Sequence, residues 1–169
     1  MKKSTTNPGS ASGRRESAGA TDAKLAPAYY HRVVEQACRQ RGLRLTPLRA
    51  QVLRLVVKAR RPIKAYDVLA RMIETNGDTA PITAYRALDF LTEHGFIHRL
   101  ASLNAYTACL HPQTRHSVPF LICESCDAVV ELGGEGIVAL LNSLADARNF
   151  HPRAQTLEVH GECAACRDR

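Results

Sequence analysis

Apolar residues recur at helical spacing over positions 30–40, where Tyr30, Val33, Val34, Ala37 and Cys38 share one face and Gly42 ends the segment. A second helix is predicted to open at Thr46-Pro47, with Thr as N-cap and Pro in the first helical position. It would bury Leu48, Val52, Leu55, Val56 and Ala59 before Arg60-Arg61-Pro62 closes it. A third, over about 65–74, turns Val68, Leu69, Met72 and Ile73 inward and runs into the turn signal Asn76-Gly77-Asp78. Over 82–94, Ala84, Leu88 and Leu91 line one face while Thr83, Tyr85, Arg86 and Asp89 point elsewhere, and Gly95 provides the stop. Two β-like pieces follow, 96–100 and 105–110, joined by Ala101-Ser102-Leu103-Asn104. Three helices, a fourth with Tyr and Arg exposed near its start, and then a hairpin are the order of a winged helix, whose last helix enters the major groove.

The remainder reads as a second, smaller unit. A strand over 118–122, a strand over 128–132 and a Gly133-Gly134 turn lead to a helix over 135–148 that carries Ile137, Val138, Leu140, Leu141 and Leu144. A final strand over 155–160 alternates Thr156, Glu158 and His160 with Leu157 and Val159. So small a unit with one helix cannot bury that much apolar surface alone, so the pattern predicts a two-fold homodimer. The expected architecture is α+β: a disordered basic tail at 1–27, a winged-helix DNA-binding domain at 28–102, a hinge at 103–116 and an α/β dimerisation domain at 117–169.

Composition sharpens this division. A 45% hydrophobic content supports real cores, and no apolar run approaches the ~18 residues of a membrane span. Residues 4–17 are polar where an export signal would need an apolar core, which predicts a cytoplasmic protein with no membrane partner. Lys and Arg outnumber acids 5 to 2 over 1–28 and 13 to 6 over 29–100, and are outnumbered 5 to 8 over 101–169. The net charge of +7 is thus +3, +7 and −3 along the chain. A basic N-terminal half on a mildly acidic C-terminal half suits a polyanion-binding module joined to a unit with another task.

Four of the six cysteines form two Cys-x-x-Cys pairs, Cys123/Cys126 and Cys163/Cys166, separated by 36 residues. That spacing presents thiolates to one tetrahedral Zn²⁺ at about 2.3 Å. Paired disulfides are the alternative, but a cytoplasmic chain of this length neither forms nor needs them. The metal would tie the start of the C-terminal unit to its end, as a structural closure. Cys38, on a helical apolar face, reads as a small core residue.

The runs Arg44-Leu45-Thr46-Pro47-Leu48-Arg49, Ala65-Tyr66-Asp67-Val68-Leu69 and 83–91, with Gly95-Phe96-Ile97-His98 after them, resemble the ferric uptake regulator family. The segment 120–126 and the closing 160–166 extend the resemblance over about 29–167 and point to the zinc uptake regulator branch. One departure is Asp127, where the family usually has Gly. Asp tolerates left-handed backbone better than most residues, so the knuckle is expected to survive.

The resemblance implies a metal-responsive DNA-binding regulator, mainly a repressor of zinc-uptake genes, that binds palindromic operators as a zinc-loaded homodimer. It places a second, regulatory zinc on His98, Cys109, His116 and Glu131, giving two Zn²⁺ per chain. A thiolate in that set argues against the harder Fe²⁺ or Mn²⁺. Arg115-His116-Ser117 stands where the iron branch tends to have a histidine-rich run, which favours zinc over an iron, manganese or peroxide signal. His111 is the substitute ligand, whereas His31, His94 and His151 read as non-ligands. Toward DNA, the resemblance puts Arg44 in the minor groove and Tyr66 on base edges, while the fork of Arg86 matches guanine O6 and N7. Arg49, Lys64, Thr83 and Tyr85 are candidates for phosphate contacts.

Neither an enzyme nor a DNA-free interaction module fits as well. A zinc deaminase needs His-x-Glu well before Pro-Cys-x-x-Cys and an open coordination position. Here His160-Gly161-Glu162 runs directly into Cys163, and a closed four-cysteine site leaves no place for water.

Overall fold

The structure, a computed structural model, describes residues 26–59, 61–77, 80–114, 116, 118–133, 135–152 and 157–168. The N-terminal tail, apart from its last two residues, therefore lies outside the described residues, as do Arg60, Asp78, Arg115, Ser117, Gly134 and the first two positions of the predicted final strand.

Helices α1 (Pro27–Gln40), α2 (Pro47–Lys58), α3 (Ala65–Asn76) and α4 (Pro81–Glu93) pack with a small sheet of β1 (Ile63–Lys64), β2 (Ile97–Leu100) and β3 (Ala105–Ala108). The strand order is β1-β3-β2, antiparallel throughout, and β2 and β3 form the wing hairpin. Local chemistry sets the boundaries. Thr46 caps α2 by accepting from the Arg49 amide, and Pro47 occupies its first turn. At the end of α4, Gly95 takes φ +72°. The Phe96 amide then donates back to Leu91 O at 2.9 Å and the Gly95 amide to Thr92 O at 3.0 Å. This Schellman arrangement needs a left-handed residue, which glycine supplies without strain.

The main core gathers Tyr30, Val34, Val52, Leu53, Val56, Val68, Met72, Leu88, Leu91 and Phe96. Several core assignments shift: Val33 and Leu69, expected on buried faces, are half-buried. Ile73, expected inward, is 44% exposed. In α2 the fully covered face comprises Ala50, Val52, Leu53, Val56 and Val57, whereas Leu48, Leu55 and Ala59 are half-buried. Helix α2 is covered on more than one side, so a single-stripe reading selects too few positions.

The C-terminal sheet comprises β4 (Pro119–Cys123), β5 (Val129–Glu131) and β6 (Leu157–Gly161), in the order β5-β4-β6. β5 runs antiparallel to β4 and β6 runs parallel to it. Helix α5 (Glu135–Asp146) stops two residues before the predicted end, and a short helix α6 (Ala164–Arg167) follows the last strand. Alternation gives this sheet two unlike faces. Phe120 and Ile122 turn toward the wing and form a small shared core with Leu100. On the opposite face Val130, Leu121 and Val159 form one row in register and are exposed. Helix α5 likewise leaves Ile137, Leu140, Leu141 and Leu144 exposed. The residues thus form an α+β protein: a winged helix followed by a small α/β unit with a four-cysteine cluster.

Candidate metal centres and nucleic-acid interface

The parallel pairing of β4 with β6 aligns Cys123 with Gly161 and so sets the two cysteine pairs side by side. All four cysteines are free thiols, and their sulfurs lie within 4.8 Å of one another. Bonds of about 2.3 Å at tetrahedral angles separate ligand sulfurs by about 3.8 Å, and Cys126 Sγ and Cys163 Sγ are 3.8 Å apart. The knuckle turns at Asp127, which adopts φ +56°, the left-handed conformation its side chain tolerates. The Cys163 amide donates to Cys123 Sγ at 3.3 Å and pulls that thiol down to about 6. Cys166, whose hydrogen bonds are to Cys163 and Cys126, is pushed up to about 12. One acidic and one reluctant thiol around a common centre are what a crowded set of sulfurs produces before a cation neutralises it.

The second cluster joins the two sheets. His98 comes from β2, Cys109 follows β3, His116 lies in the connection to β4 and Glu131 ends β5. Their donor atoms also lie within 4.8 Å of one another. His116 Nε2 is 3.5 Å from Cys109 Sγ and 3.2 Å from Glu131 Oε1, and His98 Nε2 is 3.7 Å from Glu131 Oε2. Ligands of a tetrahedral zinc at about 2.0–2.3 Å stand roughly 3.3–3.8 Å apart, so these separations suit the ion.

Surrounding groups prepare those donors. The carbonyl of Thr114 can only accept, so at 2.8 Å it fixes the proton of His116 on Nδ1 and leaves the Nε2 lone pair free. The Leu110 amide donates to Glu131 Oε2 at 2.9 Å and the His111 amide to Cys109 Sγ at 3.3 Å. Burial lowers the pKa of His98, which keeps its imidazole neutral, and its buried Nε2 has no hydrogen-bond partner. An orphaned buried nitrogen costs free energy unless something coordinates it. Cys109 is fully buried beside Glu131, and desolvation pushes its thiol far above the ordinary value. A dication resolves both problems: one thiolate, one carboxylate and two neutral imidazoles neutralise it in full. His111 stands apart, 52% exposed with Nδ1 3.7 Å from Glu131 Oε1. Of the other expected non-ligands, His94 packs edge-on against Phe90 at 4.5 Å.

The candidate DNA residues lie on the α2–α4 side of the winged helix. Tyr66 is 62% exposed at the start of α3, with Lys64 Nζ 5.9 Å from its ring, and Tyr85 and Arg86 are exposed on α4. Thr83 is half-buried in the first turn of α4, and Arg44 is exposed in the loop before α2. Arg49 differs from the others. Its guanidinium stacks 3.5 Å over Phe90 and donates to the Arg44 carbonyl at 2.7 Å, so it braces the loop that carries Arg44.

Two residues without a motif tie α1 and its end to the end of α4 and to the segment that carries Cys109. The Tyr30 hydroxyl, on α1, reaches the carbonyls of Phe96 at 2.6 Å and Cys109 at 2.8 Å. Arg41 donates to His94 O, at the end of α4, and to the carbonyls of Pro112 and Gln113. Helical periodicity marks Tyr30 only as a core position, and nothing local to Arg41 distinguishes it from a solvated arginine.

A winged helix joined through a four-donor cluster to a cysteine-closed sheet defines a class of metal-responsive regulators, and the match to known proteins agrees. Residues 40–160 match the ferric uptake regulator family, and the chain belongs to it. It is 44% identical over 133 residues to the zinc uptake regulation protein of Escherichia coli strain K12, a match that covers 78% of each chain. The crystal structure of holo XcZur superposes with a TM-score of 0.79 at 52% identity, covering 85% of this chain and all of the other. A zinc uptake regulator complexed with zinc and DNA gives 0.76 at 42% identity, over 88% and 95% of the two chains. Apo XcZur gives only 0.50 at 51% identity, over 83% and 97%. At nearly equal sequence identity, the chain therefore superposes better on holo XcZur than on apo XcZur.

Proposed function

We propose that this protein is a zinc-responsive transcriptional regulator, mainly a repressor of zinc-uptake genes, that binds palindromic operator DNA as a zinc-loaded homodimer in the cytoplasm. The observation that carries this reading is the hinge cluster, in which donors from both sheets converge and His98 Nε2 is buried with no partner. A metal coordinated by all four favours the arrangement in which wing and C-terminal sheet are close, since a ligand shifts an equilibrium only through its differential affinity for the two states. The likeness to holo rather than apo XcZur supports the same assignment. Among the described residues no helix is long and apolar enough to cross a membrane.

The reading assigns two zinc ions per chain. Cys123, Cys126, Cys163 and Cys166 hold the structural ion; His98, Cys109, His116 and Glu131 hold the regulatory one. When bound, zinc at the hinge supplies a fixed crosslink and charge neutralisation and no catalysis, because four protein donors leave no open position. Residues 28–102 form the DNA-binding domain, 103–116 the hinge and 117–169 the dimerisation domain. A second copy covers the exposed row Val130, Leu121, Val159 and the apolar stripe of α5. Two-fold symmetry then places the recognition helices α4 about 34–36 Å apart, one turn of DNA. Arg86 reads guanine, Tyr66 packs on base edges and Arg44 enters the minor groove. Lys64, Thr83 and Tyr85 bind phosphates, with Arg49 bracing the loop as well as facing the backbone.

Zinc titration calorimetry of protein carrying only its four-cysteine zinc, with and without operator duplex, tests the proposal. Linkage requires DNA to tighten the hinge site by the factor by which zinc tightens DNA binding. Equal hinge affinity in both titrations would refute it.

A further inference from the structure

Glu158 sits in the middle of β6, and its carboxylate leaves its own sheet to reach the turn between β2 and β3. Oε1 accepts the Ala101 amide at 2.7 Å, and Oε2 accepts the Ser102 amide at 3.0 Å and the Ser102 hydroxyl. Partial desolvation works against ionisation here. The Ser102 hydroxyl, the two amides and the nearby charge of His160 outweigh it, so the carboxyl titrates below its ordinary value.

These contacts are internal to neither unit. The β4–β6 ladder runs from Pro119 opposite Leu157 to Cys123 opposite Gly161, and the wing hairpin pairs four residues of β2 with four of β3. Both are complete without the carboxylate. The residue's place in the sheet gives the contact its meaning. Phe120 stands opposite Glu131 on one side and Glu158 on the other, so the three side chains form one row on one face. The ring of Phe120 packs against the ring of His98 at 5.2 Å. Glu131 meets the wing at the metal cluster beside His98, and Glu158 meets it about 10 Å further on, three strand residues later.

We infer that Glu158 is a positioning residue for the zinc response: it latches the wing turn to the C-terminal sheet and so favours the arrangement in which the four hinge donors converge. It touches no donor. The inference rests on reading the hinge cluster as the regulatory zinc site. Apparent affinity for a ligand scales with the fraction of protein already in the competent arrangement, so loss of the latch weakens zinc without altering its ligands. The carboxylate is largely solvated, so the effect is modest, about three- to tenfold in zinc affinity.

The test uses full-length dimer carrying E158A, E158Q or S102A, with hinge zinc measured by competition against a chromophoric chelator. In E158A the hinge affinity should fall about three- to tenfold while zinc at the four cysteines and the dimer mass are unchanged. Half-maximal operator binding should need correspondingly more zinc, and operator affinity should recover at saturating zinc. E158Q, which keeps one acceptor oxygen, and S102A, which keeps both amide donors, should fall between E158A and the unmodified protein. These two milder variants decide the matter if E158A does not fold. Wild-type hinge affinity in folded E158A or, failing that, in both milder variants would overturn the inference. So would an operator defect of constant size at every zinc concentration, the mark of a direct DNA contact. Unmodified protein that takes up only the four-cysteine zinc would overturn the regulatory reading and this inference with it. Two zinc ions in unmodified protein and an indistinguishable E158A would overturn the latch alone.

Discussion

Glu131 and Glu158 occupy the same row of the C-terminal sheet, one on each side of Phe120. Side chains in one row share a face, so both carboxylates point at the wing, where they meet different things. Glu131 joins His98, Cys109 and His116, while Glu158 takes the amides of Ala101 and Ser102. Strand β2 and its turn are therefore gripped twice from one surface. Under the proposed function, that pairing is what links the hinge zinc to the position of the DNA-binding half.

Replacement of Cys109 by Ser should leave a folded dimer that keeps its four-cysteine zinc and binds operator with the same affinity at every zinc concentration. The coupling lost is of the order typical for an allosteric effector, about 1–3 kcal/mol per site. A gel-shift series across zinc concentrations measures it, and a normal zinc response in Cys109→Ser would remove that sulfur from the mechanism.

Zinc binding at the hinge should strengthen with pH. Burial and the neighbouring Glu131 hold the Cys109 thiol above its ordinary value, so the proton is present near neutrality and must leave when the metal enters. One displaced proton makes apparent affinity rise about tenfold per pH unit above pH ~7. His98, held neutral by burial, adds no proton in that range. Titrations at two pH values give the slope; a flat profile would mean that the thiol is not a ligand.

Removal of a four-cysteine donor should have the opposite character. Cys123→Ser or Cys163→Ser should unfold the C-terminal unit and abolish the dimer, because metal binding supplies much of the folding free energy of small zinc domains. Analytical ultracentrifugation and circular dichroism report this directly. A well-folded dimer from either variant would show the cluster to be dispensable.

On the DNA face, two substitutions should separate readout from positioning. Arg86→Ala is expected to cost about 1–3 kcal/mol at the operator and to relax base preference. Lys64→Ala should weaken binding to all sequences and lower the salt slope by about one. If Arg86→Ala left the ratio of specific to non-specific affinity unchanged, α4 would not be reading bases.

Much of this fold was legible without coordinates. The helical faces around Val34, Val52, Val68 and Leu88, the Thr46-Pro47 start of α2 and the Gly95 stop of α4 follow from near-neighbour chemistry that repeats along the chain. The two Cys-x-x-Cys pairs declare a tetrahedral site because their spacing is itself the geometry of the knuckle. The second cluster was reachable only through family resemblance, since 33 positions separate His98 from Glu131 and no local pattern spans them.

Tertiary structure decided what depends on register and on which element covers which. Ile73 sits on a helical apolar face, yet nothing packs over it fully, and it stays 44% exposed. Arg49 is a phosphate candidate in the sequence, and only the fold shows that its guanidinium also stacks on Phe90 and braces the Arg44 loop. Nothing in the sequence around Arg41 sets it apart, and its three carbonyl partners come from the end of α4 and from the loop before His116. Glu158 is a polar position in an alternating strand, and only the parallel pairing of β6 with β4 sets it in the row of Phe120 and Glu131. Periodicity fixes which face of an element a side chain occupies. The partner across the gap is fixed by contacts between distant segments, whose geometry exists only once the chain has folded.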